Sequence, residues 1–358
     1  MLDQERSILI GVQVLEAFKR ALVVAATLTL VGCSSGSRHD AIRPTPSPTA
    51  RYGGNDVVWP SRARSTPARP ALGAVVTNAL APLTNGRALQ AGLTLPIIGG
   101  SAASPEVLTP CLRKVTLTGT GFTTIAPATD AQRIVVVDAG HGGVDRGATA
   151  PDGTRESLRN LQVAELVRDD LEGSVARVVM TRTTNRVTQL GFRTTLADAL
   201  RANFAISIHF NASPDGLSTH PGTTTFGAVA DPDGRRAAGV LFEAERSYVD
   251  TLTPRLRGRW ASYRDSGALY RLGSRGDYYF QLRESHVTWV ISEAMFISNE
   301  PESRLLARAD VRAGLANAIA SGVMRYLDSD ASGSGWRNPI PRSDPKAAPD
   351  PPCTDPYA

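Results

Sequence analysis

Apolar and polar positions divide the chain into regions of different texture. Residues 21–31 are a short apolar run behind Lys19 and Arg20, and residues 34–70 are rich in Ser, Pro, Arg and Thr without periodicity. From 71 to 131, small apolar clusters such as Val75-Val76, Leu93, Leu95 and Ile97-Ile98 are separated by Gly, Asn and Pro, and 107–108 and 115–118 read as strands. The run Ile134-Val135-Val136-Val137 is β-branched and followed by a glycine cluster, the pattern of a strand buried on both faces. Residues 156–171 carry Leu161, Ala164, Val167 and Leu171 toward one side and leave at Gly173, which predicts a helix. Further strands are predicted over 176–181, 204–209, 223–229, 278–282 and 288–293. Further helices are predicted over 190–202, over 236–257, and as a pair broken near Asp310 over 301–326.

Strands alternating with helices predict an α/β three-layer domain over 132–328, with a mostly parallel or mixed sheet flanked by helices. Residues 71–131 are expected to form a small β-rich extension packed on that domain. Residues 34–70 lack the apolar content for a core and read as a disordered tether. The Pro/Ser-rich stretch 329–358 reads as a loose tail, and no internal repeat is present.

The N-terminus changes the picture of where the domain works. A basic flank before an apolar core too short to cross a bilayer has the layout of a secretory signal over 1–33. The run Leu30-Val31-Gly32-Cys33 resembles the lipobox of bacterial lipoproteins, which implies lipidation of Cys33; an ordinary signal peptide that carries a cysteine is the alternative. Export implies an oxidising compartment, where the remaining Cys111 and Cys353 are either a disulfide pair or two separate thiols. The formal net charge of +5 favours an anionic partner, with nucleic acid, acidic wall polymer and membrane surface all consistent with it.

Candidate chemistry sits at the ends of the predicted strands. Asp138, His141 and glycines 140, 142, 143 and 147 follow the first strand of the domain; Glu156 opens the first helix; His209 and Glu293 end two later strands. Two imidazoles and one carboxylate can hold a zinc ion and leave a fourth position for water, while a further carboxylate moves the proton. By spacing alone the reading is weak, because a lone histidine after a strand is more often structural.

Four segments in order, D-A-G-H-G-G-V-D-R-G-A (138–148), E-S-L-R-N (156–160), S-I-H-F-N-A (207–212) and S-E-A-M-F-I-S-N (292–299), resemble the zinc-dependent N-acetylmuramoyl-L-alanine amidases of the type-3 family. These are bacterial cell-wall hydrolases, and the resemblance covers about 132–328. It implies Zn2+ held by His141, Glu156 and His209, with Glu293 as the catalytic acid/base. The implied reaction cleaves the amide between the lactyl group of N-acetylmuramic acid and the L-alanine of the peptidoglycan stem peptide. Asp138, Asn160 and Asn211 lie in motif positions with supporting roles, and Arg283 reads either as a contact to a substrate carboxylate or as a structural ion pair. Thr288-Trp289 departs from the family's proline-containing start of that strand, which bears on groove shape. Asp145 and Glu165 read as solvated side chains, and His39, His220 and His286 as loop residues away from the site. Between His209 and Glu293 only 236–257 reads as a long helix, so no second helix is expected to cover the metal, and the groove is expected open.

The partners implied are peptidoglycan or muropeptide fragments, with no nucleic acid, membrane contact only through the lipid anchor, and a monomeric state. Two competing readings use the same residues: a non-catalytic peptidoglycan-binding lipoprotein, and a zinc carboxypeptidase-like enzyme acting on stem peptides. A binding module has no need of Glu293.

Overall fold

Seven short strands open the computed structural model, which describes residues 71–174, 177–213, 222–229, 231–252, 267–341 and 350–357. They are β1 (Ala74–Thr77), β2 (Ala81–Pro82), β3 (Ala88–Leu89), β4 (Thr94–Gly100), β5 (Pro105–Leu108), β6 (Lys114–Thr116) and β7 (Phe122–Ile125). Five of them form an antiparallel sheet in the order β6-β5-β4-β1-β7, and β2 pairs with β3. The predicted signal peptide and tether, Cys33 included, lie outside the described residues.

The remainder begins with β8 (Ile134–Ala139), every residue of which is buried, as expected of a strand covered on both faces. There follow α1 (Glu156–Glu172), β9 (Arg177–Met180), α2 (Leu190–Ala199), β10 (Phe204–Asn211), β11 (Thr224–Gly227) and α3 (Pro232–Leu252). Then come β12 (Gly267–Leu269), β13 (Arg271–Gly273), β14 (Gly276–Asp277), α4 (Phe280–Glu284), β15 (Trp289–Phe296), α5 (Glu300–Ala307), α6 (Ala309–Asp328) and β16 (Ile340–Pro341). The central sheet has the order β12-β11-β15-β10-β8-β9. Strands β9, β8, β10 and β15 are parallel, whereas β11 runs antiparallel to β15 with β12 parallel to it, so the sheet is mixed. The parallel register brings the carboxyl ends of β8, β10 and β15 to one edge, where α/β sheets bind ligands.

Each face of the sheet has its own core. On one, Val135, Val137, Ile206 and Val290 pack with Val163 and Val167 of α1, Val240 and Leu241 of α3, and Leu315 and Ile319 of α6. On the other, Ile134, Val136, Ala205, Trp289 and Ile291 meet Phe192 and Leu196 of α2 together with Val75, Leu95, Val107 and Leu117 of the β-rich extension. The extension therefore completes one layer of the domain. The predicted break in the last helical pair falls at Arg308, whose backbone is extended. Asn299 caps α5 by accepting the Glu302 N–H, and Pro301 lies in the first turn.

Two expectations are corrected. The strand predicted over 278–282 is absent; β14 ends at Asp277 and the chain turns into the short helix α4. Tyr278, Tyr279 and Phe280 have β-propensity, but Arg283 takes the carbonyls of Asp277 and Tyr278, at 2.8 and 3.1 Å, and Tyr279 stacks on Phe226, which selects the helical turn. The predicted loose tail is packed where it is described. β16 pairs with β13, and Trp336 donates to the Arg235 carbonyl. A Cβ on Gly335 would lie 2.2 Å from the Phe242 ring, so this glycine serves close packing rather than flexibility. Among the described residues, no helix is long and apolar enough to cross a membrane.

Candidate metal centre and active site

Three side chains converge above the sheet edge. Glu156 is the first residue of α1, where a carboxylate is favoured by the helix dipole. Its two oxygens face different histidines: His141 Nε2 lies 3.3 Å from Oε2, and His209 Nδ1 lies 3.0 Å from Oε1. The imidazoles meet edge to face with centroids 4.8 Å apart, and candidate ligand atoms of all three residues fall within 4.8 Å of one another. Two neutral-capable imidazoles and a carboxylate in such proximity are a donor set suited to a tetrahedral metal with one open position. Burial costs Glu156 its hydration, yet hydrogen bonds and charge from His141 and His209 hold its carboxyl well below the usual range. Burial opposes a charged His141 as well, but Asp145 and then Glu156 raise the imidazole to about 10.

The close fit depends on glycine. A Cβ on Gly140 would lie 2.1 Å from His209 Nε2, and one on Gly147, at φ +63°, 2.5 Å from Glu156 Oε2. His141 itself adopts φ +58°, a left-handed conformation that is costly for a residue with a Cβ. Two buried arginines hold it. Arg193 donates to the carbonyls of Ala139 and His141 at 2.8 and 2.9 Å, and Arg182 to those of Ala139, Gly140 and Ser157 at 2.9, 2.8 and 2.7 Å.

Asp138 lies beneath this loop and supports it rather than joining the ligand cluster: it binds Arg193, Thr181 Oγ1 (2.6 Å) and Ser207 Oγ (2.7 Å). Burial acts against its charge, but Arg193 and the two hydroxyls hold the carboxyl below its ordinary value. Trp289 is buried and donates its indole N–H to Ser207 at 2.9 Å, which ties the departing residue of the last strand to the same network. Asn160 donates to the Gly140 carbonyl at 3.1 Å and to Glu156 Oε1 at 3.2 Å. The Asn211 carbonyl accepts the Ile297 N–H at 2.8 Å.

Glu293 pairs in register with His209 across β10 and β15. Its Oε2 is closed from solvent and has no hydrogen-bond partner among the described residues. Burial first, then the charge of Glu156, pushes its carboxyl well above the ordinary range. A carboxyl that keeps its proton to higher pH than an ordinary glutamate can serve as proton donor as well as acceptor.

Other expected positions fall elsewhere. Arg283 serves the two backbone carbonyls of the β14–α4 turn and an ion pair with Glu284 at 2.8 Å. His286 bonds Asp198 at 3.0 Å. His39, His220 and the segments 214–221 and 253–266, on which the expectation of an open groove bears, lie outside the described residues. Cys111 and Cys353 form a disulfide with Cα atoms 5.5 Å apart.

Sequence reasoning misses three residues. Asp145, expected as solvated, hydrogen-bonds His141 Nδ1 at 2.8 Å and turns Nε2 toward Glu156. Arg182 and Arg193 give no motif to follow; the available signal is Thr181-Arg182 directly after β9, at the same sheet edge as His141 and His209.

A family model described as N-acetylmuramoyl-L-alanine amidase matches residues 135–325. The chain belongs to this amidase family. The match contains His141, Glu156, His209 and Glu293, while the extension and tail fall outside it. The amidase is 30% identical over 222 residues to N-acetylmuramoyl-L-alanine amidase AmiC of Neisseria meningitidis, covering 55% of this chain and 53% of that protein. It is 28% identical over 229 residues to AmiA of Escherichia coli, covering 56% and 78%. A solved N-acetylmuramoyl-L-alanine amidase from Clostridium difficile 630 is similar at 27% identity and TM-score 0.47, covering 56% of this chain and 98% of that one.

Proposed function

We propose that this amidase is a zinc hydrolase of peptidoglycan, cleaving the amide between the lactyl group of N-acetylmuramic acid and the L-alanine of the stem peptide. The observation that carries the reading is the convergence of His141, Glu156 and His209, with Glu293 in register beside His209 on the neighbouring strand. His141, Glu156 and His209 would hold the ion, and the unpartnered Glu293 carboxyl oxygen matches the need for a proton carrier. Zinc supplies Lewis acidity, polarising a carbonyl and lowering the pKa of water.

The chain's own residues account for the rest. Asp145 orients His141, and Glu156 is positioned by the N–H groups of Ala148 (2.9 Å) and Phe210 (3.3 Å). Glu293 takes the proton of the attacking water and returns it to the nitrogen of the leaving alanine. The N-terminal pattern supports export and lipid anchoring through Cys33, with the enzyme at the outer face of the cytoplasmic membrane or secreted.

Mass spectrometry of muropeptides digested with the purified protein, with and without a chelator, tests the reading. The expected products are lactyl-glycan and intact stem peptides, abolished by chelation and by Glu293→Ala, which retains zinc. Shortened stems would instead identify a carboxypeptidase, and no product at all a binding protein.

A further inference from the structure

A single short loop joins the Cys111–Cys353 disulfide to the candidate metal site. Residues 181–189 connect β9 to α2, and Val187 in that loop is touched from two sides. Its carbonyl oxygen lies 4.0 Å from Cys353 Sγ, while a Cβ on Gly143 would lie 2.8 Å from its nitrogen. Gln189, at the end of the loop, holds both arms of the crosslink. Its N–H donates to the carbonyl of Pro110, next to Cys111, at 3.0 Å, and its Nε2 to the carbonyl of Pro351, two residues before Cys353, at 3.1 Å.

On the other side the loop bears on the turn that carries His141. Gly143 N–H donates to Asn185 Oδ1 at 3.0 Å, and a Cβ on Gly142 would lie 2.0 Å from the Arg186 carbonyl oxygen. Arg193 spans the two segments, donating Nε to the Thr188 carbonyl at 3.0 Å and Nη2 to the His141 carbonyl at 2.9 Å. Contacts this close transmit displacement, because no free volume absorbs it. His141, Gly142 and Gly143 have consecutive φ values of 58°, 139° and 62°, and that of His141 is the costly one. Such a conformation persists only while its neighbours over-determine it. Both cysteines are half-buried, within reach of a redox partner.

We propose that this disulfide is a redox switch for the metal site: only the crosslinked chain presses residues 185–189 onto Gly142 and Gly143 and keeps His141 ready for the ion. The proposal rests on the zinc reading above. Closing the bond joins the two thiols by exchange with the disulfide of a thiol oxidoreductase. Two electrons and two protons pass to that partner, which leaves as a dithiol. In a reducing compartment the thiols persist and the loop is loose, so the chain gains its metal site on reaching an oxidising one.

Hydrogen exchange on the metal-free full chain and zinc affinity by chelator competition test this, comparing the oxidised native chain with Cys111→Ser combined with Cys353→Ser. The doubly substituted chain should keep its far-ultraviolet dichroism. Exchange should quicken roughly tenfold at residues 139–147 and 185–189 and stay unchanged in α6. Zinc should bind roughly tenfold more weakly. The native chain, reduced with a phosphine and then freed of it, is the second route, on which glutathione disulfide should restore the oxidised values. Equal exchange and zinc affinity in all forms would overturn the switch. Global unfolding of both uncrosslinked forms would overturn it too, since the bond would then support the whole fold. Muropeptide cleavage separates this from the amidase reading. Redox-dependent exchange in a native chain that cleaves no muropeptide would keep the switch and remove that reading; cleavage undiminished without the bond would remove the switch alone.

Discussion

His141 is fixed on both nitrogens, by Asp145 at 2.8 Å and by Glu156 at 3.3 Å, on a backbone held left-handed. Removing the first support should leave the fold intact and free the ring to rotate. Asp145→Ala is expected to weaken zinc binding by roughly 10–100-fold, the usual cost of losing a residue that orients a ligand histidine. Competition with a fluorescent chelator measures it, and unchanged affinity would leave Asp145 without that role. Glu245, on α3, offers a different test because it lies apart from the ligands. It is fully buried against Ser292, neither oxygen has a well-formed hydrogen bond, and burial pushes the carboxyl up to about 8. The folded chain keeps it protonated while the unfolded chain ionises it near the ordinary 4.5. Its stabilising contribution is therefore complete below that pH and is lost as pH rises toward about 8. Glu302, also raised to about 8 by burial, acts in the same direction. Melting temperature should fall over this interval, and Glu245→Gln should flatten the decline in a pH series of thermal melts. At this scale the sequence discloses the groups whose chemistry is distinctive, His141, Glu156, His209 and Glu293, because they lie at the ends of strands or the start of a helix. Asp145, Arg182 and Arg193 stay hidden because a charged loop or helix residue looks solvated until its partner is known.

At the scale of elements, strongly periodic segments are legible and locally ambiguous ones are not. β8 is six buried residues and α1 follows its predicted limits within one residue, since burial on both faces and helical spacing are written in side-chain type. The stretch 278–282 is not legible: its aromatics suit a strand, and the carbonyls captured by Arg283 together with the Tyr279–Phe226 contact decide for α4. The tail misleads for a related reason, because Gly and Pro signal both looseness and close approach. Its last described segment is held by the disulfide, by Asp355 accepting the Cys111 N–H at 3.3 Å, and by Arg87 lying 3.5 Å over the Tyr357 ring. The crosslink closes a separation of 242 residues, so it removes much conformational freedom from the unfolded chain. Reduction, or Cys353→Ser, is expected to cost about 2–5 kcal/mol. Scanning calorimetry with and without reductant checks this, and an identical transition in both would show that the tail contributes nothing through its crosslink.

For the whole molecule, the decisive feature is that the β-rich extension shares a core with the catalytic sheet. Phe192 and Leu196 of α2, and Ile134, Val136 and Trp289 of the sheet, belong to the same buried cluster as Val75, Leu95, Val107 and Leu117. The backbone is tied as well: Gly73 N–H donates to the Ala199 carbonyl at 2.9 Å, and Gln189 N–H to that of Pro110 at 3.0 Å. Composition suggests a boundary near 131, and the family match begins at 135, so a shortened chain starting there looks natural from the sequence alone. Physically it would expose the apolar side of α2 to water at about 25 cal/mol per Å² of surface uncovered. Arg193, which holds Asp138 and the His141 carbonyl, projects from that same helix. Loss of the extension should therefore loosen the candidate metal site through α2 even though His141, Glu156 and His209 all remain. A chain truncated to 132–358 is expected to bind a hydrophobic dye, to lose near-ultraviolet dichroism and to bind zinc more weakly than the full chain. A truncated chain with a cooperative melt and native zinc affinity would show instead that the extension is a separable addition, and that α2 keeps its place on the sheet without it.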